Sequence, residues 1–480
     1  MQKRALIALL IVLMLLVSSC SLIQKDPEVD AATEIVKVGD EVFTKGTIQN
    51  MVQDYLQQEQ IYYNQYYGQY IDITDKNIIA NAQDAVINGV IRQSVLTSKS
   101  KELGLDTLSE EDQAEVNDLW QQYYDLVKNY MFGETELEGE ELDKAITDSI
   151  TTTFGITKES LVESTIAENL RNEIVKDVTV SDDEVAAEYD TRVANAKTSY
   201  ENNPSAYGNA YNQGTSTIYY RPAGYRLVKQ ILIKFTDEDQ TMLDELDSKI
   251  SSLNSLITSY RNDLSAANLE NLDELLGQVQ SDVTVGLPEI GAVAPELIAT
   301  TTDMLPADTE ENVKQLLLDL HEAEEKLALY QTLRDDAQKA AYDHITADAD
   351  DVLAQLNDGA DWDTLMAEKT QDPGMQSGKT SETGYAVCEN MSGFDSAFVN
   401  AAMALANIGD TSDKVASDMY GYYIIKYVGD VEEGAVALDD VKETIHDELL
   451  STKQDETYNA KVDEWVAAAN AKIDKKALND

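Results

Sequence analysis

Tyr225-Arg-Leu-Val-Lys-Gln-Ile-Leu-Ile-Lys-Phe235 is the stretch that decides the fold of this 480-residue chain. Its apolar and β-branched residues follow a Gly-containing turn and predict a β-strand. A second run of the same kind, Tyr422-Tyr-Ile-Ile-Lys-Tyr-Val428, occurs much later. Most other segments show helical periodicity. We therefore expect an α+β protein that is mostly helical.

The segment between these two strands has the pattern of a helical hairpin. Its apolar residues alternate three and four positions apart, as in a coiled-coil seam. They are Leu243, Leu246, Ile250, Leu253, Ile257, Tyr260 and Leu264. A matching helix is predicted from 310 to about 344, and Pro288, Pro295 and Pro306 before it exclude one continuous helix. The sequence predicts an antiparallel coiled-coil hairpin at residues 236–345, followed by a helix–turn–helix at 350–369.

Helical patterns also fill both ends of the chain. A short strand is predicted from Ile35, and amphipathic helices follow as far as a Tyr-, Asn- and Gly-rich loop at 197–226. One helix is predicted to begin at Ser109-Glu-Glu-Asp112, which resembles a capping box. The last fifty residues are predicted to form one or two further helices. These composition changes place candidate domain boundaries near 225 and 431.

A group of tyrosines within the first predicted helices has two interpretations. They stand at positions 62, 63, 66, 67 and 70. Buried, they would be core; exposed, they could grip unfolded chains. Their helical spacing favours the core.

The first twenty residues have the pattern of an export signal. Lys3-Arg4 precedes an apolar run from Ala5 to Val17, and Ser18-Ser19-Cys20 follows. The run is too short for a transmembrane helix, which needs about 20 apolar residues. Its end resembles the bacterial lipobox, which implies a signal peptide at 1–19, lipid on Cys20 and a tether at 20–34. The alternative is an ordinary secretory signal with a chance cysteine.

The composition limits the partners and the chemistry. The formal net charge of −53 makes nucleic acid or an anionic membrane surface an improbable partner. Only Cys20 and Cys388 are cysteines, so no intramolecular disulfide is expected if Cys20 carries lipid. His321, His344 and His446 are far apart and form no zinc motif. We expect neither a metal nor a cofactor.

A series of short motifs occurs in one order along the chain. They are Gln230-Ile-Leu-Ile-Lys234, Asn357-Asp-Gly-Ala-Asp-Trp362, Gln371-Asp-Pro-Gly374, Gly384-Tyr385, Phe394-Asp-Ser-Ala-Phe398 and Gly421-Tyr-Tyr-Ile-Ile-Lys426. This order resembles the parvulin peptidyl-prolyl isomerases (rotamases), which begin with a His-Ile-Leu strand and close with Gly-Tyr-His-Ile-Ile-Lys. The resemblance implies a small parvulin-like α/β domain at 225–235 and 346–430. In it, Leu227–Lys234 should pair with Tyr422–Val428 in one antiparallel sheet.

The flanking segments resemble one branch of that family. The similar stretches are Val38-Gly-Asp-Glu-Val-Phe-Thr44, Lys101-Glu-Leu-Gly-Leu105, Phe154-Gly-Ile-Thr157, Val178-Thr-Val-Ser-Asp-Asp-Glu-Val185 and Val441-Lys-Glu-Thr-Ile-His-Asp-Glu-Leu-Leu450. They look like the N-terminal chaperone domain, and the returning C-terminal helix, of PrsA- and SurA-type foldases. The resemblance implies a helical chaperone domain at 35–224, on which a C-terminal helix at 431–480 packs.

The resemblance also implies a site. The family pattern points to Met391, Phe394 and Phe398 as the slot for a proline ring, although plain core packing would explain them as well. Parvulins place two histidines near an Asp or Cys. Here Gln230 and Tyr423 hold the histidine positions, and Asp372 stands near the acidic one. Asp372 is thus the catalytic candidate of a degenerate site.

These predictions combine into a foldase tethered to the outer face of a bacterial cell membrane. Its partners would be unfolded exported polypeptides, and the membrane through the lipid on Cys20. Because both histidines are replaced, we expect isomerase activity to be weak or lost. The alternatives are a fully active peptidyl-prolyl cis-trans isomerase and a solute-binding or wall-organising lipoprotein. The latter would need two α/β lobes, and the sequence lacks repeated strand–helix alternation.

Overall fold

The computed structural model describes residues 27–133, 135–266, 280–281, 300–301 and 310–479. The predicted signal peptide, Cys20 and the prolines at 288, 295 and 306 lie outside these residues. The helices are α1 Pro27–Ala31, α2 Lys45–Tyr67, α3 Lys76–Glu102, α4 Glu110–Met131, α5 Gly139–Phe154, α6 Lys158–Val175, α7 Asp182–Asn202, α8 Ser205–Gln213, α9 Asp237–Ala266, α10 Glu311–Asn357, α11 Trp362–Lys369, α12 Pro373–Gln376, α13 Lys379–Thr383, α14 Ser396–Ala404, α15 Leu438–Ala468 and α16 Lys475–Asn479. The strands are β1 Glu34–Val38, β2 Glu41–Thr44, β3 Tyr220–Arg221, β4 Arg226–Lys234, β5 Gln280–Ser281, β6 Thr300–Thr301, β7 Tyr385–Val387, β8 Val415–Ser417, β9 Gly421–Asp430, β10 Gly434–Ala435 and β11 Lys472–Ile473.

The chain divides into two compact units. One contains the residues up to 181 together with those from 446 onward, and the other contains 182–445. The predicted boundaries near 225 and 431 fall inside the second unit. They stay predictions, because a compact unit defined by contacts need not coincide with a segment that folds alone.

The first unit joins the two ends of the chain. Strand β1 pairs antiparallel with β2 and with β11, so that Val36 lies opposite Ile473. Ile48 of α2 and Ile87 of α3 are buried in the same core, against which Trp465 of α15 packs. The prediction that N- and C-terminal segments form one helical domain is confirmed.

Local capping explains where helices of this unit begin. The Ser109 hydroxyl accepts a hydrogen bond from the Asp112 N–H, and the Asp112 carboxylate accepts one from the Ser109 N–H, both at 3.1 Å. This reciprocal pair satisfies two N–H groups that the first turn of α4 leaves without helical partners. The predicted capping box is present.

The second unit is built on a four-stranded antiparallel sheet in the order β7-β4-β9-β8. Strands β4 and β9 pair antiparallel, with Ile231 opposite Ile424 and Leu232 opposite Tyr423. This is the pairing that the parvulin resemblance implies. Side chains alternate between the two faces of a strand. Ile231 and Ile424 therefore pack on the hairpin helices, while Leu232 and Tyr423 pack on the opposite face with Phe398.

The inserted hairpin consists of α9 and α10, which pack along each other. Near the sheet, Leu243 and Leu246 of α9 meet Tyr330 and Leu333 of α10 in one core. Farther out, Leu264 packs with a second group on α10, at Val313, Leu317 and Leu320. Early α9 thus meets late α10, as an antiparallel hairpin requires. Residues of the predicted seam therefore lie in the contact between the two helices, and the coiled-coil assignment stays a prediction.

The second hairpin helix is longer than predicted. The sequence pattern predicts that this helix ends near His344 and that a separate helix begins at 350. In the structure, α10 continues to Asn357. No Gly or Pro interrupts this stretch. Ala341, Ile345, Ala349 and Val352 extend its buried stripe. The helix ends where Gly359 adopts a left-handed φ of 89°.

Candidate functional site

A cavity of about 270 Å³ opens on the face of the sheet opposite the hairpin. Gln230 and Leu232 come from β4, Tyr423 from β9 and Tyr385 from β7. The remaining wall consists of Lys234, Asp372, Pro373, Gly393, Phe394, Asp395, Phe398 and Tyr420. The predicted residues Gln230, Asp372, Tyr423, Phe394 and Phe398 therefore meet at one cavity.

Strand pairing explains why Gln230 and Tyr423 reach the same cavity. Gln230 and Leu232 are two positions apart and share a face of β4, while Tyr423 lies opposite Leu232 across the ladder. The loop that holds Asp372 is attached to β4 by hydrogen bonds to the main chain of Leu232. The Gln371 N–H donates to the Leu232 carbonyl at 2.9 Å, and the Leu232 N–H donates to the Thr370 hydroxyl at 3.1 Å.

Asp372 is the centre of a buried hydrogen-bond network. Its Oδ2 accepts from Gln230 Nε2 at 2.7 Å and from the Tyr385 hydroxyl at 3.0 Å. Its Oδ1 accepts from the Gly374 N–H at 3.0 Å, which caps the short helix α12. Burial first, and then the charge of Asp372, raise the pKa of the Tyr385 hydroxyl far above its usual value. Tyr385 is therefore a neutral donor at any physiological pH.

One polar atom of this network has no protein partner. Gln230 is 6% exposed, and its Oε1 meets no hydrogen-bond donor among the described residues. The orientation of the amide follows from Asp372, because a carboxylate accepts and only the NH₂ group of Gln230 can donate to it. This carbonyl oxygen is itself buried, so the lack of a partner is an energetic cost to the fold.

A second polar group lies near Tyr423. The Asp395 carboxylate caps α14 by accepting from the Ala397 N–H at 2.9 Å, and it also accepts a short hydrogen bond from the Ser417 hydroxyl. Ser417 is fully buried. Burial raises the pKa of the Tyr423 hydroxyl strongly, with a further contribution from the Asp395 charge. Tyr423 therefore stays protonated.

Aromatic rings form the apolar part of the cavity. Phe394 and Phe398 stack at 5.6 Å between ring centroids, and Tyr385 meets Phe394 edge-on at 5.3 Å. Phe398 is almost fully buried and also contacts Tyr423, whereas Phe394 is half-buried. Phe394 therefore offers ring surface to a ligand, and Phe398 supports it from behind.

Met391 lies apart from these rings. It is buried, and it is not among the residues that line the cavity. A Cβ atom on Gly208 of α8 would lie 2.4 Å from the Met391 Cε, so Met391 packs closely on that helix. The structure thus places Met391 in the core of the unit.

Two residues of the site were missed by sequence reasoning. Tyr385 and Asp395 both lie within quoted motifs, but neither received a role. Asp395 precedes the helical segment Ser396–Ala404, which is the ordinary place of an N-cap. Tyr385 has no such local signal, because its partner Asp372 is reached only when β7 joins the sheet.

No group of three or more His, Cys, Asp or Glu side chains within the described ranges could hold a metal ion. In the same part of the chain, no helix combines the length and the apolar character needed to cross a bilayer. Cys388 is buried, and burial raises the pKa of its thiol.

Relatives of this chain bear the name Foldase protein PrsA. One from Clostridium botulinum strain Hall is 33% identical over 133 residues, which are 27% of this chain and 38% of the relative. Another from Clostridium acetobutylicum is 26% identical over 192 residues, which are 39% of this chain and 51% of the relative. The alignments thus span from under two fifths to about half of the relatives' length. No protein-family model matches the chain.

Solved structures with similar chains include two of this kind. PrsA from Bacillus subtilis is 15% identical, with 92% of each chain covered and a TM-score of 0.19. The foldase protein PrsA from Streptococcus pneumoniae is 12% identical, with 93% of this chain and 97% of that chain covered and a TM-score of 0.25. The sequence relatives named Foldase protein PrsA confirm that this chain resembles the PrsA-type foldases.

Proposed function

We propose that this protein is an extracytoplasmic foldase that holds unfolded exported polypeptides and has little or no isomerase activity. Lipid on Cys20 would anchor it to the outer face of a bacterial cell membrane. The similarity to proteins named Foldase protein PrsA supports the first part. Since the alignments cover only part of those proteins, the activity and the clients are argued from the site itself.

The observation that carries the proposal is the half-buried ring of Phe394 in the wall of a cavity that also includes Gln230, Asp372 and Tyr423. A half-buried aromatic ring offers an apolar surface to a proline or another apolar side chain. An unfolded polypeptide exposes apolar side chains that its folded form would bury.

The same geometry argues against efficient isomerisation. Catalysis needs groups that bind the twisted amide more tightly than the planar one. The two oxygens of Asp372 already accept hydrogen bonds from three protein donors. Gln230 does not titrate, and no histidine is among the residues that line the cavity. What remains is a site that binds and orients, with Tyr423 as a neutral donor.

Two assays on the full chain test this proposal. In the first, the protein at near-stoichiometric amounts should slow the aggregation of a denatured exported protein. Phe394→Ala should weaken this effect, because it removes the half-buried ring that lines the cavity. Ile408→Ala is the matched control, since Ile408 is an exposed apolar residue of the same unit outside the cavity. If neither client binding nor slower aggregation is observed, the foldase proposal fails.

The second assay measures cis-to-trans conversion of a proline peptide. We expect a rate close to the uncatalysed one, which takes tens to hundreds of seconds. A rate far above background that is lost on Asp372→Ala would instead establish the alternative, a fully active isomerase.

The anchor is tested separately. Cys20→Ala removes the thiol that would receive the lipid, so the protein should move from the membrane fraction to the soluble extracytoplasmic fraction. A variant that stays with the membrane would contradict lipidation at Cys20.

A further inference from the structure

The far end of α2 presents an exposed patch of aromatic rings. It consists of Tyr62, Tyr63, Tyr66 and Tyr67 on the helix and Tyr70 just after it, and is called the tyrosine patch below. Tyr66 is 68% exposed and Tyr70 is 79% exposed. The expectation that these tyrosines form core is therefore wrong. The buried face of α2, at Ile48, Val52 and Leu56, ends before the patch begins.

The rings of the patch contact one another. Tyr62 lies 4.9 Å from Tyr66, and Tyr63 lies 5.5 Å from Tyr67, between ring centroids. The turn after the helix is held in place, because Gly68 ends α2 in the left-handed conformation and Gln60 Nε2 donates to the Ile71 carbonyl at 3.3 Å. The patch is thus an ordered surface at the connection between α2 and α3.

The sequence around the patch has a net negative charge. Residues 46–75 contain no Lys, Arg or His but contain Asp54, Glu59, Asp72 and Asp75, and Lys45 and Lys76 flank this stretch. The last turn of α2 has no basic residue to offset the negative end of its helix dipole. Hydrogen bonds from the Thr74 hydroxyl and N–H lower the pKa of Asp72, so this carboxylate stays charged in mild acid.

Several other tyrosines of the chain have a Lys or Arg side chain over the ring. Lys379 Nζ lies 3.8 Å from the ring centroid of Tyr211, and Arg226 lies 4.6 Å from that of Tyr427. Across the described ranges, no Lys or Arg is placed in this way over a ring of the tyrosine patch. The tyrosine patch thus combines five rings with nearby carboxylates, and no described Lys or Arg lies over a ring. Such a surface is complementary to Lys and Arg side chains.

We infer that the tyrosine patch binds extended polypeptide segments rich in Lys and Arg. The inference rests on the proposed function and specifies which client segments the first unit prefers. A second copy of the chain is a poorer occupant. A symmetric contact through this patch would place Glu59 and Asp72 near their own counterparts, and two chains of net charge −53 repel each other.

Peptide binding by the full chain tests the inference. Three extended peptides of equal length would be used, in which leucine alternates with arginine, with glutamine or with glutamate. The arginine peptide should bind most tightly, and added salt should weaken its binding. Replacing three exposed rings, Tyr62→Gln/Tyr66→Gln/Tyr67→Gln, should reduce its affinity on the order of tenfold or more. Glutamine keeps the helix propensity high, and circular dichroism verifies the fold.

Two controls make the result specific. Tyr130→Gln removes an exposed tyrosine elsewhere in the first unit and should leave the affinity unchanged. Glu59→Gln/Asp72→Asn keeps every ring but removes two charges, and it should weaken the arginine peptide while sparing the glutamine peptide. Equal binding of the three peptides, or full binding by the triple tyrosine variant, would overturn the inference. Self-association that depends on the same tyrosines would also overturn the inference.

The outcome is separable from that of the proposed function. If the triple variant binds the arginine peptide normally while the protein still protects clients, only the inference about the patch fails. If the patch binds the arginine peptide but no client is protected, the foldase proposal fails. The inference that the tyrosine patch binds basic peptides then still stands.

Discussion

Gln230 donates a 2.7 Å hydrogen bond from Nε2 to Oδ2 of Asp372, although 142 positions separate the two residues. Both side chains are buried. The bond connects strand β4 to the loop before α12, on the wall of the cavity where Phe394 and Tyr423 also lie. It thereby holds the predicted catalytic candidate in a position where it accepts hydrogen bonds and orients its neighbours.

Replacing Asp372 should therefore destabilise the protein as well as change the site. Asp372→Ala leaves the donors of Gln230, Tyr385 and Gly374 without their acceptor, and we expect a loss of roughly 2–4 kcal/mol. Equilibrium unfolding in urea measures it. Asp413→Ala, at an exposed carboxylate of the same unit, should change stability little. Similar stability of the two variants would show that the network is not structural.

Gly421 should tolerate no side chain. It starts β9 with a φ of +126°, and a Cβ there would lie 2.2 Å from the Ile233 carbonyl oxygen. Gly421→Ala should cost roughly 2–4 kcal/mol, from backbone strain and the forced separation of β4 and β9. Hydrogen exchange of the β4 amides should accelerate. Gly429→Ala is the matched control in the same strand, because its Cβ would meet no atom within 4 Å. Equal exchange in the two variants would contradict this account.

The pair of His344 and Asp239 should make stability depend on pH. His344 Nδ1 lies 2.9 Å from Asp239 Oδ2, and this hydrogen bond raises the pKa of His344. Partial burial raises the pKa of Asp239, but the hydrogen bonds from His344 and Thr236 outweigh it and lower the pKa overall.

The sign of the effect follows from these directions. The contribution of His344 is complete below its ordinary pKa of about 6.5 and is lost as pH rises through the raised value. That of Asp239 is complete above about 3.9 and is lost as pH falls through the lowered value. His344→Gln should thus destabilise the protein most near about pH 5 and hardly at about pH 9, in urea unfolding. In an Asp239→Asn background, the destabilisation by His344→Gln should no longer depend on pH. Equal destabilisation by His344→Gln at both pH values in the otherwise unchanged protein would refute the pairing.

The pattern of residues along the chain determined the local structure. The alternation in β4 and β9, the capping box at Ser109 and the seam of the hairpin depend on neighbours within a few positions. Such interactions are present in any short segment, so sequence reasoning finds them. The order of motifs likewise indicated the foldase resemblance without any coordinates.

Only the tertiary structure decided what each side chain contacts. The sequence predicts the same role for Phe394 and Met391, as parts of a slot for a proline ring. In the structure Phe394 lines the cavity, whereas Met391 packs on α8. Tyr385 joins Asp372 only because β7 pairs with β4. Helical spacing places Tyr62 and Tyr66 on one face, but exposure depends on whether another element covers that face, and none does so along this end of α2 in the described residues. Burial and long-range pairing depend on parts of the chain that are distant in sequence, and a local pattern contains no information about them.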